Sequence, residues 1–355
     1  MTENNSIYNL STPVVLIDEN IVDANIKRVQ SYLDQAGKKS RPHIKTHKIP
    51  RFAQKQLDAG AIGITCQKVS EAQVFADAGI KDIMLTFNIV GAEKMEPLRK
   101  LNEQVTLSVV ADSATTIEGL ASAFDGQKPL TVLVECDTGG GRCGVQSPAE
   151  ALELAKKIDA APGLTFGGLM TYPSPNGEDA VDQFFNGTKA LLDEAGIACP
   201  VLSSGGSPSL FSAEKAKSAT EHRAGTYIYN DRSLVRAGHC TFDDCAMTIL
   251  ATVVSRPTDD RAVLDAGSKA LTSDLLGFSD FGYIVDYPEA VISGLSEEHA
   301  VVDLSACKDK PQVGDKIRII PNHTCVVSNL MDQIALHRDG KFIEMVDVAA
   351  RGKVW

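Results

Sequence analysis

The sequence predicts an α/β fold, an N-terminal (β/α)8 TIM-like barrel followed by a C-terminal all-β domain. Three observations predict it. Short β-rich runs alternate with helix-patterned stretches from about residue 13 to 230. After about residue 240 the texture changes to consecutive β-like runs broken by Gly, Pro and Asp. The 355 residues suffice for one large barrel and a smaller domain. The boundaries expected are 10–238 for the barrel and 239–355 for the β domain, with room for the first residues to pack on the latter.

The first run, PVVLID (13–18), precedes the barrel series. Eight candidate strands follow: HIKT (43–46), IGITC (62–66), IMLTF (83–87), TLSVV (106–110), TVLVEC (131–136), TFGGLMT (165–171), VLSSG (201–205) and HRAGTYI (222–228). Between them, SEAQVFADAG and PAEALELAKKID repeat apolar residues at helical spacing. Eight such alternations are what a (β/α)8 barrel requires, although a doubly wound sheet gives a similar pattern. The runs MTILATVVS, RAVLDAG, YIVDY, AVISGL, AVVDLS, KIRIIP, HTCVVSNL and IALHR then read as strands of the second domain.

Composition narrows the function. A formal net charge of −11 and the lack of a basic block argue against nucleic-acid binding. No apolar run approaches membrane-spanning length, and the polar N-terminus lacks the pattern of a signal peptide, so a cytoplasmic protein free of membranes is expected. Eight scattered cysteines without a C-x-x-C read mostly as buried thiols.

Against that acidic background, RPHIKTHKIP (41–50) concentrates Arg41, His43, Lys45, His47 and Lys48. Read as a strand, it sends His43 and Lys45 to one face and places the lysine near the carboxyl end of a barrel strand, where catalytic groups gather. Neighbouring positive charge would make that amine a nucleophile toward an aldehyde. By composition alone, a solvated basic loop after a strand is the reading placed first.

RPHIKTHK resembles the cofactor-lysine motif of the metal-dependent D-threonine aldolase and D-serine dehydratase family, part of the alanine-racemase-like (fold type III) pyridoxal phosphate enzymes. The likeness runs nearly end to end, through TCQKVSEAQVFADAGIKDI, VECDTGGGRCGV, APGLTFGGLMTYP, SSGGSP, EHRAGTYIYND, LSEEHAVVDL, PNHTCVVSNL and VAARGKVW. It implies pyridoxal 5'-phosphate as cofactor, Lys45 as the lysine that carries it, and a homodimer. It also implies a small D-3-hydroxy amino acid as substrate. The motif positions carry over His43 and Gln67 to the cofactor pocket, Arg142 to the pyridoxal O3 and Tyr172 to the ring. They carry Ser204, Gly205, Gly206, Gly225, Thr226 and Tyr227 to the phosphate. His323 and Cys325 match the family's metal pair, and Glu297 an acidic residue near it. An imidazole with a thiolate favours zinc, with manganese or magnesium as alternatives.

Two outcomes are implied: retro-aldol cleavage to glycine and an aldehyde, placed first, or elimination to a 2-keto acid and ammonia. TCQK, ECDTGGGRCG and APGLTF resemble the aldolase branch, whereas H-x-C in place of H-x-Asp resembles the dehydratases. The histidine that the aldolases carry shortly after the tyrosine is missing from YPSPNGEDAVDQFF. Glu178, Asp179 or a metal-activated water would have to replace it. An amino-acid racemase and a non-catalytic pyridoxal phosphate carrier are the further alternatives.

Overall fold

The computed structural model describes residues 5–124 and 127–355. It divides into two compact units. One comprises Arg28–Lys45, Pro50–Gly225 and Lys353–Trp355; the other comprises the residues up to Lys27, Thr46–Ile49 and Thr226–Gly352.

The strand β1 (Val14–Asp18) lies in the second unit. The first unit is the barrel, built from β2 (Lys39–Ser40), β3 (Ile64–Cys66), β4 (Asp82–Asn88), β5 (Thr106–Ala111), β6 (Leu130–Cys136), β7 (Leu164–Thr171), β8 (Val201–Ser204) and β9 (Glu221–His222). These eight strands pair in parallel in the order β2, β9, β8, β7, β6, β5, β4, β3. The Ile62 N–H to Ser40 O bond (2.9 Å) and the Thr65 N–H to Pro42 O bond (2.8 Å) bring the two ends of that order together. The expected TIM-like fold class is the observed one.

The intervening helices follow local chemistry. In SPAE, Ser147 accepts the Glu150 N–H and Glu150 reaches back to the Ser147 N–H, with Pro148 opening the helix Pro148–Asp159. Its buried stripe is Ala151, Leu154, Ala155 and Ile158. After β8 and β9 the connections shrink to short 3-10 turns, Ser207–Ser212 and Thr226–Ile228. Among the strands, Met84, Val110, Leu133 and Met170 form one buried cluster.

Two barrel expectations need correction. HIKT is not a strand: the ladder runs through the His43 N–H to Ala224 O bond (2.9 Å), then Ile44–Thr46 curls into a 3-10 turn. His43 Nδ1 accepts the Lys45 N–H at 3.4 Å, and such a local side-chain bond competes with strand pairing. HRAGTYI is strand only at its first residue, because the chain turns again at Thr226.

The second unit holds a nine-stranded sheet whose remaining members are β10 (Met247–Thr258), β11 (Arg261–Leu264), β12 (Tyr283–Ile284), β13 (Val291–Leu295), β14 (Ala300–Asp303), β15 (Lys316–Ile320), β16 (Gln333–Arg338) and β17 (Lys341–Asp347). β1 joins it between β10, antiparallel, and β16, parallel, and buries Leu16 against Leu250 and Ala335. HTCVVSNL is the third correction. Thr324–Leu330 is a helix, with His323 as its N-cap residue. The β-branched pair suggested a strand. The fold overrides it, because buried Asp231 accepts the Thr324 N–H and Val327 turns into the core. β17 was not foreseen; it is a largely exposed edge strand without a buried face to mark it.

All eight cysteines are free thiols; Cys66, Cys136, Cys245 and Cys307 are buried and Cys143 is exposed. No helix among the described residues is long and apolar enough to cross a membrane.

Leu133→Ala should cost about 2–4 kcal/mol, because its cluster leaves nothing to fill the void, and chemical denaturation of the variant would measure it.

Candidate functional site

The basic segment is mostly spoken for by structure. Arg41, buried, gives its Nε to Glu221 Oε2 at 3.1 Å and an Nη to Asp82. Burial opposes that charge, but Glu221 and Asp82 outweigh it and raise the guanidinium pKa. His47 Nδ1 accepts the Ile49 N–H at 3.1 Å, and Lys48 Nζ donates to Ala350 O at 3.3 Å. Lys45 is different. It is half-buried, and its amine has no hydrogen bond or ion pair among the described residues.

Around it, the barrel unit orders three groups. Gln67 donates from Nε2 to Thr86 O (3.1 Å), so its Oε1 is left to accept from His43 Nε2 at 2.9 Å. That fixes His43 with its proton on Nε2 and Nδ1 as the acceptor of the Lys45 N–H. Second, Arg142 stands on a glycine loop that Asp137 organises, its Oδ1 accepting from Gly139 (2.9 Å) and Gly141 (3.1 Å). The Arg142 guanidinium lies 4.8 Å over the Tyr172 ring. Third, the Ser204–Gly206 and Gly225 loops are tied together, Arg223 N–H to Ser204 O at 3.2 Å and Gly225 N–H to Ser207 Oγ at 3.3 Å.

Packing leaves no space for side chains in that cradle. Gly205 has φ 91°, and a Cβ there would sit 2.2 Å from His222 Nε2; a Cβ on Gly206 would sit 2.6 Å from the Tyr172 ring. Buried in this way, His222 is held neutral by desolvation and by the Arg223 charge, its pKa pushed down to about 3.

Sequence reasoning passed over the cluster beneath Arg142. The ligand atoms of Asp112, Glu135 and Cys143 all lie within 4.8 Å of one another at the ends of β5 and β6. All three are engaged: Glu135 Oε2 accepts from Asn88 Nδ2 (2.9 Å), Asp112 Oδ2 accepts the Gly144 N–H (3.1 Å), and the Cys143 thiol is hydrogen-bonded with Arg142. Burial and then the Asp112 charge push the Glu135 carboxyl up, against Arg142 and Arg223. The cluster therefore anchors the loop that presents Arg142.

In the second unit, His323 and Cys325 stand at the start of the helix Thr324–Leu330, the imidazole within hydrogen-bonding reach of the thiol. The pair does not lie on a strand: His323 is the extended N-cap residue, and Cys325 stands in the first turn of the helix that follows. His323 Nδ1 faces Asp274 Oδ2 at 2.7 Å, so Nε2 is the nitrogen left for a metal. Burial disfavours the imidazolium, yet Cys325 and Asp274 raise its pKa to about 9. Cys325 Sγ has Thr46 Oγ1 at 3.1 Å and Thr226 Oγ1 at 3.7 Å. Thr46 and Thr226 directly follow Lys45 and Gly225 in the chain. Tyr227 is buried in the 3-10 turn with Thr226. Glu297 is exposed in the turn between β13 and β14, and its carboxylate makes no hydrogen bond or ion pair among the described residues. Glu178 accepts from Ser212 Oγ, and Asp179 is exposed.

These residues fit the two groups that the sequence implied. A glycine cradle that any Cβ would fill, with backbone N–H groups at a loop, suits a phosphate; an unengaged lysine amine suits an aldehyde. One imidazole nitrogen and one thiol suit a divalent ion of borderline softness such as zinc.

A barrel of this topology, carrying such a lysine and glycine cradle, defines the class of alanine-racemase-like proteins, and the comparisons agree. The N-terminal domain of alanine racemase matches residues 17–233, and a putative serine dehydratase domain matches residues 246–337. D-threonine aldolase from an Arthrobacter species is 33% identical over 358 residues, 97% of this chain and 93% of that protein. D-threo-3-hydroxyaspartate dehydratase from a Delftia species is 31% identical, covering 90% of this chain and 92% of that protein. A solved structure of a D-threo-3-hydroxyaspartate dehydratase, a cysteine-to-alanine variant in the metal-free form, has TM-score 0.87 at 26% identity over 99% of this chain and 100% of that chain. The crystal structure of D-threonine aldolase from Filomicrobium marinum superposes with TM-score 0.91 at 30% identity, covering 98% of each chain. The chain belongs to the D-threonine aldolase and D-serine dehydratase family of fold type III pyridoxal-phosphate-dependent lyases.

Two outcomes follow from this geometry. Gly205→Ala should lose the absorbance of bound cofactor and destabilise the fold by about 1–3 kcal/mol, since the new methyl must displace the His222 ring. His222 should also make stability acid-sensitive. Its folded pKa lies below the unfolded value of about 6.5, so its contribution is complete above pH 6.5 and is lost as pH falls toward about 3. Thermal melts in that window should show a shallower pH slope for His222→Gln than for the parent protein, the difference reaching up to about 1.4 kcal/mol per pH unit.

Proposed function

We propose that this protein cleaves a D-3-hydroxy amino acid between Cα and Cβ, giving glycine and an aldehyde, in the manner of D-threonine aldolase. The observation that carries the proposal is the likeness to that enzyme over nearly the whole chain, together with a Lys45 amine left unengaged beside an ordered His43–Gln67 pair.

Bound pyridoxal 5'-phosphate would supply an electron sink for the charge developing at Cα. A divalent ion, zinc ahead of manganese or magnesium, would supply a Lewis acid for the substrate hydroxyl. The remaining work falls to side chains. Lys45 Nζ would hold the cofactor's aldehyde carbon. Arg142 would pair with the pyridoxal O3 and Tyr172 would pack on the ring. The N–H groups of the Ser204–Gly206 and Gly225–Tyr227 loops hold the phosphate, and fixed backbone dipoles make that binding cheap to organise. His323 and Cys325 hold the ion. Glu297 enters from the resemblance alone. The active protein is a cytoplasmic homodimer on this proposal.

Elimination to a 2-keto acid and ammonia is the second reading, favoured by Cys325 and by the missing histidine after Tyr172. It would use Lys45 Nζ to take the Cα proton. Retro-aldol cleavage instead needs a base at the hydroxyl, and Glu178 is committed to Ser212.

The test is product analysis after mixing the protein, pyridoxal phosphate and zinc or manganese with D-threonine. Glycine with acetaldehyde is expected; 2-oxobutanoate with ammonia would select the second reading, and neither product would refute D-threonine as a substrate. Lys45→Ala should abolish the absorbance of lysine-bound cofactor, and retention of that band would move the linkage to another lysine. Cys325→Ala should keep the band while losing metal and turnover.

A further inference from the structure

The geometry points to Asp274 as the residue that sets the His323 tautomer and thereby makes His323 and Cys325 competent to hold a divalent ion. The inference rests on the metal role proposed for that pair and adds to it a residue that no sequence motif marked.

Asp274 has both carboxylate oxygens assigned. Oδ2 faces His323 Nδ1 at 2.7 Å, and Oδ1 accepts the Leu276 N–H at 3.2 Å, while the Asp274 N–H is held by Thr272 Oγ1 at 3.1 Å. The carboxylate therefore cannot turn away without breaking its own loop. That loop is also strained to deliver it. Thr272 and Leu276, two residues to either side, stand at φ 63° and 44°, where only glycine is at ease and a β-branched threonine is an outlier. Backbone held so unfavourably persists where surrounding structure over-determines it.

The residues on either side of His323 in the chain are held as well. Asn322 accepts the Gly282 N–H at 3.1 Å and donates to Asp280 O at 2.7 Å, and Asp231 caps Thr324. Asn322 and Asp231 thus hold the chain at His323, and Asp274 adds what that leaves open, which ring nitrogen faces the carboxylate. With Nδ1–H donated to Asp274, Nε2 is the nitrogen that would give up its proton to take the ion. A carboxylate behind a metal-binding histidine has this effect generally, and its loss weakens metal affinity about 10- to 100-fold.

The experiment is a zinc titration against a chromophoric chelator, on full-length protein with pyridoxal phosphate bound, for the parent and for Asp274→Ala, Asp274→Asn and His323→Ala. Asp274→Ala should weaken zinc by about 10- to 100-fold with the cofactor absorbance and circular dichroism unchanged. Asp274→Asn should recover most of the affinity, because its amide oxygen still accepts the Nδ1–H. Zinc affinity in Asp274→Ala within twofold of the parent, with His323→Ala depleted, would overturn the inference alone. Asp274→Asn as weak as Asp274→Ala would overturn the positioning role and make the carboxylate a ligand. A parent protein that holds no zinc would overturn the metal reading and this inference with it.

Discussion

Arg41 is the constraint on which the barrel depends. β2 is only two residues long, and it must pair with β9 while the residues after it meet β3. Main-chain bonds over so short a strand hold little, and the buried guanidinium makes up the difference by reaching Glu221 on β9 and Asp82 on β4. Space for it is made by Gly63, where a Cβ would lie 2.5 Å from the guanidinium. A buried ion pair is not stabilising in itself, but removing one partner strands the other at a cost of about 3–5 kcal/mol. The charge that looks, in the sequence, like part of a catalytic basic patch is therefore a structural tie, and it leaves Lys45 as the distinctive member of the segment.

The barrel was legible because its signal is redundant. TVLVEC, TFGGLMT and TLSVV are long, apolar and bounded by turns, and each became a strand near its expected limits. The failures lie where one side-chain bond outweighs propensity. His43 captures the Lys45 N–H and ends a strand; Asp231 caps Thr324 and turns a β-branched run into a helix. Neither partner can be found from local sequence, since Asp231 lies 93 positions before the residue that it caps. β17 escaped for the opposite reason, having no buried face to leave a pattern.

Of the candidate site, only the parts that form motifs can be read in the sequence. Lys45, the glycine loops and the His323/Cys325 pair sit in contiguous stretches whose residue types match a known chemistry. Thr46, Glu135, His222 and Asp274 do not, because each acts through a neighbour supplied by the fold. Thr46 is the clearest case. As a residue beside a lysine it looks ordinary, and only the fold puts its hydroxyl at Cys325.

β1 carries a consequence for how the chain is made. Its parallel partner is β16, with Leu16 in register with Ala335, so a strand made before the barrel waits for one made after it. Barrel residues can collapse while the chain is still growing, since domains generally fold as units during synthesis. The apolar run VVLI meanwhile has no sheet to join until the β domain has emerged. During synthesis, then, this segment stays without its sheet while the whole barrel between it and β10 is made.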